Sequence, residues 1–157
     1  MPPRVDCYVL VASRSKKLVI DFLDRFLPDR RPLADEFEVP QYATTPEAVF
    51  ESVDDLLAML EARPTEGHAL YWANTGSRPP EGALVAHTTD GKIVFGLSVN
   101  EDDEDVAAEY LARMRSFFGG DPPAYVAWED PPQTSSPEFL VREAELRASR
   151  PPQRPGG

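Results

Sequence analysis

An α+β fold, with a mixed sheet of about six strands and helices mainly on one of its faces, is predicted by three features of the chain. Apolar runs rich in β-branched residues alternate with segments whose apolar residues recur every three or four positions. These segments follow the order β-α-β-α-β-β-β-α-β, and a C-terminal helix closes the chain. Between them, "ALVAHTTDGKIVFGLSV" carries a hairpin signal, since Asp90-Gly91 is a two-residue turn of a kind that tolerates φ > 0.

Each element has its own justification. "VDCYVLVAS" (Val5–Ser13) is a near-continuous apolar run, suited to a strand buried on both faces. "SRSKKLVIDFLDRFLP" reads as a helix: Ser13 or Ser15 caps it, Leu18, Phe22 and Phe26 share a face, and Pro28 ends it. "DEFEVP" alternates acidic and apolar residues, as a half-exposed strand does. "TTPEAVFESVDDLLAMLEARP" predicts a long helix. Thr44 and Glu47 have capping-box spacing, Pro46 suits the first turn, and Val49, Val53, Leu56 and Leu60 line one face.

"GHALYWAN" (Gly67–Asn74) is the next strand. In the hairpin that follows, a tight turn sets Ala86 opposite Phe95 and Leu84 opposite Leu97. That gives one strongly apolar face and a second that is open or only partly covered. A third helix carries Val106, Tyr110, Met114 and Phe117 as its stripe, capped by Asn100 or Asp102 and stopped by Gly119-Gly120. "AYVAWED" is the last strand, and Ser135 with Glu138 opens a short final helix. Residues 1–149 form one globular domain on this reading, and the tail 150–157, "RPPQRPGG", is expected to be disordered.

Composition narrows the function. The 157 residues suffice for one core without metals or disulfides. Cys7 is the only cysteine and lies in an apolar run, so it reads as a small buried hydrophobe in a reducing compartment. The N-terminus lacks signal-peptide character and no apolar run reaches membrane-span length, so a cytoplasmic protein with no membrane partner is expected. The net charge of −11 repels phosphates and argues against a nucleic-acid partner.

The acid is clustered. Ala34 to Ala62 holds eight acids and no Lys or Arg, while Arg14 to Arg31 holds six bases and three acids. On the second helix Glu47, Glu51, Asp54, Asp55 and Glu61 form a solvent side without the opposite charges that usually stabilise it. A second run, Glu101, Asp102, Asp103, Glu104 and Asp105, exceeds what capping the third helix requires.

The chemistry is sparse. "NEDDEDVAAEYL" is not an EF-hand, because Val replaces the central Gly and Leu the final Glu. No metal and no cofactor are implied. His68 and His87 come within one or two rungs if their strands are adjacent and antiparallel, which leaves a small-ligand or enzymatic role near His87 as one alternative. "SRSKK" opens a helix where an anion can sit on free N–H groups. Trp72 and Trp128 are aromatic anchors for a protein partner if their side chains point outward.

Three stretches, "HALYWAN", "TTDGKIVFGLSV" and "AYVAWEDPPQTSSPEF", resemble small acidic bacterial immunity proteins of polymorphic toxin systems. The resemblance implies a cofactor-free inhibitor that binds a cognate toxin domain and blocks its active site, with no catalytic residue carried over. The clustered acid points to a basic toxin domain, a nuclease being one option. On this reading, the acids of the second helix, Glu101 to Asp105, and Trp72 or Trp128 are the expected contacts. An accessory module of a secretion system or phage is the other alternative.

Overall fold

The computed structural model describes residues 4–100 and 104–149. The elements are β1 (Val5–Val11), α1 (Lys16–Phe26), β2 (Arg30–Pro32), β3 (Phe37–Val39), β4 (Ala48–Phe50), α2 (Val53–Ala62), β5 (His68–Asn74), β6 (Gly82–His87), β7 (Ile93–Val99), α3 (Glu104–Phe118), β8 (Ala124–Trp128) and α4 (Ser136–Ser149). The fold is α+β, as the sequence predicts. The main sheet runs β2-β5-β6-β7-β1-β8, and β3 and β4 form a separate ribbon. Every pairing among the described strands is antiparallel, whereas a mixed sheet was expected. β7 and β8 both flank β1, so α3 crosses over β1 to join them.

One face of the sheet holds the larger core. Val5, Cys7 and Val9 of β1 meet Phe95 and Leu97 of β7, under α1, α2 and α3. Phe22 of α1, Phe95 of β7 and Phe118 of α3 pack as a ring cluster, with centroids 4.8 Å apart for Phe22–Phe95 and 4.5 Å for Phe95–Phe118. Such tilted contacts add to the burial of three large side chains. Cys7 is fully buried here, its thiol donating to the Ala107 carbonyl at 3.2 Å, and burial raises its pKa to about 12.

The second face is covered by a strap and a helix. From β8 the chain turns at Glu129, whose φ is 48°. It then crosses under the Tyr8 hydroxyl, which donates to the Asp130 carbonyl. Thr89 N–H donates to the Thr134 carbonyl at 3.0 Å, pinning the strap to the β6–β7 hairpin. The Asp90 carboxylate then accepts the Ser136 N–H at 3.1 Å, anchoring the start of α4. Phe139 of α4 packs on Tyr125 at 4.7 Å. The helix is 14 residues long, longer than expected, and Ser135 Oγ accepts the Glu138 N–H at 3.4 Å as the capping-box spacing predicts.

Three local predictions need correction. The second helix does not begin at Thr44. Ser52 is the N-cap, its hydroxyl accepting from Asp55 N–H, and α2 starts at Val53. Ahead of it Ala48–Phe50 pairs with β3, and Glu47 N–H reaches the Val39 carbonyl at 2.8 Å. β-branched and aromatic residues here favour the ladder over two more helical turns, and Val49, expected on the core stripe, is 50% exposed.

The hairpin is slipped by one residue. His87 opposes Ile93 and Val85 opposes Phe95. A three-residue loop, with Gly91 at φ 87°, replaces the two-residue turn. Thr88 selects it: its hydroxyl accepts the Lys92 N–H at 2.8 Å, while its N–H donates to the Lys92 carbonyl at 2.9 Å. A one-residue slip moves a strand's side chains to the other face. Leu84 and Ala86 accordingly pack in the second, smaller core, and Ala83 and Val85 in the first. Lastly, β2 is a strand the sequence did not predict.

Candidate functional site

The predicted site residues separate into a buried set and two surface sets. His68 and His87 stand directly opposite each other on β5 and β6. Both face the larger core, 4% and 3% exposed, with His68 Nε2 3.2 Å from the Glu38 carbonyl. Burial lowers the pKa of both rings; for His87, burial followed by the charges of Arg14 and His68 brings it to about 3. Burial thus favours the neutral form of both rings, and His68 also lines a groove beside β5. Among the described residues no group of three or more His, Cys, Asp or Glu is arranged to hold a metal ion. No described helix is long and apolar enough to cross a membrane.

Trp72 is corrected by the same alternation. His68, Leu70 and Trp72 point into the core, and Trp72 is 4% exposed, so it is not an anchor for a partner. Its neighbour Tyr71 takes the outward direction and is 40% exposed.

The "SRSKK" segment does not offer an open anion site. Ser15 caps α1 by accepting the Leu18 N–H at 3.1 Å. The Lys16 N–H is taken by the Glu61 carboxylate at 2.5 Å, and Lys16 Nζ pairs with Asp54 at 2.8 Å. Glu61 and Asp54 thus tie α2 to α1. Arg14 completes the junction. It is 8% exposed and donates only to backbone carbonyls, those of Leu60 at 2.7 Å, Arg63 at 2.8 Å, Thr88 at 2.7 Å and Lys92 at 3.3 Å, and that of Glu66. α2 has no base in its last turn. Arg14 therefore supplies, from outside, the positive charge that a helix C-terminus favours.

The remaining acids of the Ala34–Ala62 stretch are unspent. Asp35, Glu36, Glu38, Glu47, Glu51 and Asp55 are exposed, and among the described residues no Lys, Arg or His lies within ion-pair distance of any of them. Several acids elsewhere are ion-paired, as Asp21 is with Lys17, Glu109 with Arg113 and Asp130 with Arg142, while among the described residues the exposed Asp29 and Glu129 are not. The Ala34–Ala62 stretch differs in gathering its unpaired acids together. Glu47 and Glu51 flank β4, one strand from Glu36 and Glu38 around β3.

The second acidic run is elsewhere. Glu101, Asp102 and Asp103, with the expected Asp102 cap, lie outside the described residues. Glu104 and the exposed Asp105 open α3. Asn100, whose N–H donates to the Glu81 carboxylate at 2.9 Å, follows Val99 at the sheet end that also carries Val5 and Trp128. α2 meets Thr88 and Lys92, through Arg14, at the opposite end. A strand of this length separates the two ends by roughly 20 Å. Trp128, 43% exposed, belongs with the α3 start and not with α2.

A group of exposed apolar residues lies beside the first acidic set. β2 pairs with the Trp72–Asn74 half of β5, and Leu33 N–H adds a bond to the Tyr71 carbonyl at 3.0 Å. Beyond Leu33 the chain leaves, and the other half of β5 is a free edge. Gln41 closes it with its side-chain amide: Nε2 donates to the Ala69 carbonyl at 2.9 Å, and Oε1 accepts the Ala69 N–H at 2.7 Å. This mimics a strand's peptide group and blunts an edge open to unwanted pairing. On the far edge Glu143 does the same for the Ala124 N–H at 2.8 Å.

A groove of about 320 Å³ runs along the β5 edge. Leu33, Phe37, Tyr42 and Tyr71 line it, together with the exposed acids Glu36 and Glu38. Leu33 is 58% exposed and Tyr42 83%. Tyr42 also sits at φ 65°, a conformation that costs a bulky residue of order 1–3 kcal/mol. The sequence reading missed Leu33, Gln41 and Tyr42. The one available signal was the alternation of "HALYWAN", which sends Tyr71 outward whenever Trp72 points inward.

Comparison with family models, with curated proteins and with solved structures finds no match to this chain.

Proposed function

We propose that this protein is a binding module, an immunity-type inhibitor that neutralises a basic toxin domain by covering it. The observation that carries this reading is the unpaired acid of Asp35, Glu36, Glu38, Glu47, Glu51 and Asp55, beside exposed apolar groups at one sheet edge. Acids left without partners give up ion pairing within the fold. They supply a field that accelerates encounter with a cationic surface and disfavours anionic ones. Exposed Tyr and Leu within that field supply the apolar contact that holds an interface once formed. Trp128, 43% exposed near the start of α3, offers a separate aromatic contact. The inhibitor acts in the compartment where its toxin is made, taken to be the cytoplasm.

Co-expression with the basic toxin domain encoded beside its gene tests the proposal. Growth is expected to be rescued by the native chain and lost with a Glu47→Lys, Glu51→Lys, Asp55→Lys triple variant that still folds. A neighbourhood without such a toxin, or rescue unaffected by the triple variant, would contradict it.

A further inference from the structure

We infer that the groove along the β5 edge is the partner's anchoring pocket, and that its occupant is a segment carrying one large apolar side chain flanked by Lys or Arg. The inference rests on the binding role proposed above and names where and how that binding is anchored. Three observations converge. The groove has the volume of a large side chain with its neighbours, about 320 Å³, and Tyr42 and Tyr71 both line it. The two are close enough for Tyr42 to raise the pKa of Tyr71, after the larger effect of burial. Among the described residues Glu36 and Glu38, which line the groove, have no ion-pair partner, and the lining holds His68 but no Lys or Arg.

The chemistry follows from these. Exposed tyrosines offer large, rigid contact area with few torsions to freeze. Aromatic residues in a desolvated pocket ringed by polar groups are the usual interface hot spots. Cations placed beside an inserted side chain meet the carboxylates at Glu36 and Glu38, while an acidic segment is repelled. Gln41 already satisfies Ala69, so recognition runs through side chains and leaves the sheet edge closed.

The test uses the full chain and an acetylated, amidated hexapeptide of sequence GKRFKG, with GKRGKG and GEEFEG as controls. Amide NMR shifts at low salt are expected to move at Leu33, Gln41, Tyr42 and Tyr71 with GKRFKG, and much less with either control. The Tyr42→Ala, Tyr71→Ala double variant is expected to weaken binding by about tenfold or more. Shifts confined to Glu47, Glu51 and Asp55, insensitive to the double variant, would overturn the groove and leave the acidic-surface reading standing. No shift anywhere with the basic peptides would overturn both.

Discussion

The buried histidine pair makes stability depend on pH in a calculable way. His87 is 3% exposed, and its pKa is depressed from 6.5 to about 3 by burial, then by Arg14 and His68. Above pH 6.5 neither the folded nor the unfolded state binds this proton, and full stability is present. As pH falls from 6.5 toward about 3, the unfolded chain is protonated while the folded ring stays neutral, so stability is lost. At about 1.36 kcal/mol per pH unit, lowering the pH to 5 removes about 2 kcal/mol through His87. His68, also lowered by burial, acts with the same sign. Urea unfolding followed by circular dichroism at pH 8 and pH 5 measures it. His87→Leu keeps the position apolar and abolishes its titration. The native chain is expected to lose about 2 kcal/mol more than His87→Leu between these pH values. Equal losses in both proteins would refute the neutral, buried assignment.

Other substitutions probe the elements that hold the site in place. Ser52→Ala is expected to cost about 1 kcal/mol and Thr44→Ala only a few tenths, because Ser52 alone caps α2; urea midpoints of the two variants compare them directly. Arg14→Met strips a charged donor from carbonyls of α2 and the hairpin and should cost about 3 kcal/mol or more, with Arg14→Lys recovering only part, as thermal unfolding will record. Gln41→Ala opens the Ala69 edge, and concentration-dependent association by light scattering is expected, absent in the native chain.

Much of the fold was legible in the sequence because strand and helix periods are local. The stripe of α1 and the caps Ser15 and Ser135 are set by residues within one turn of one another. What failed was decided at longer range. Thr44 and Ser52 offer rival helix starts with nearly the same spacing, and pairing of Ala48–Phe50 with Phe37–Val39 chose between them. Asp90-Gly91 reads as a two-residue turn until the Thr88 hydroxyl closes onto Lys92 and shifts the register.

The candidate site was legible as charge and illegible as shape. Clustering marked Glu47, Glu51 and Asp55 correctly as exposed acid, but nothing local distinguishes Asp54, held by Lys16, from Asp55 beside it. Nor does the sequence reveal that Leu33, Tyr42 and Tyr71, separated along the chain, meet at one edge. Trp72 illustrates the converse, since a single step along β5 decides whether an aromatic is core or contact.

The central claim is that the unpaired acids of the Ala34–Ala62 stretch form a binding surface for a basic protein. The most direct measurement is the dissociation constant for the neighbour-encoded toxin domain at low and high salt, for the native chain and the Glu47→Lys, Glu51→Lys, Asp55→Lys variant. The native complex is expected to weaken by about tenfold or more as salt screens the charges, with the variant already weak at low salt. Tight binding indifferent to both salt and charge reversal would contradict the account.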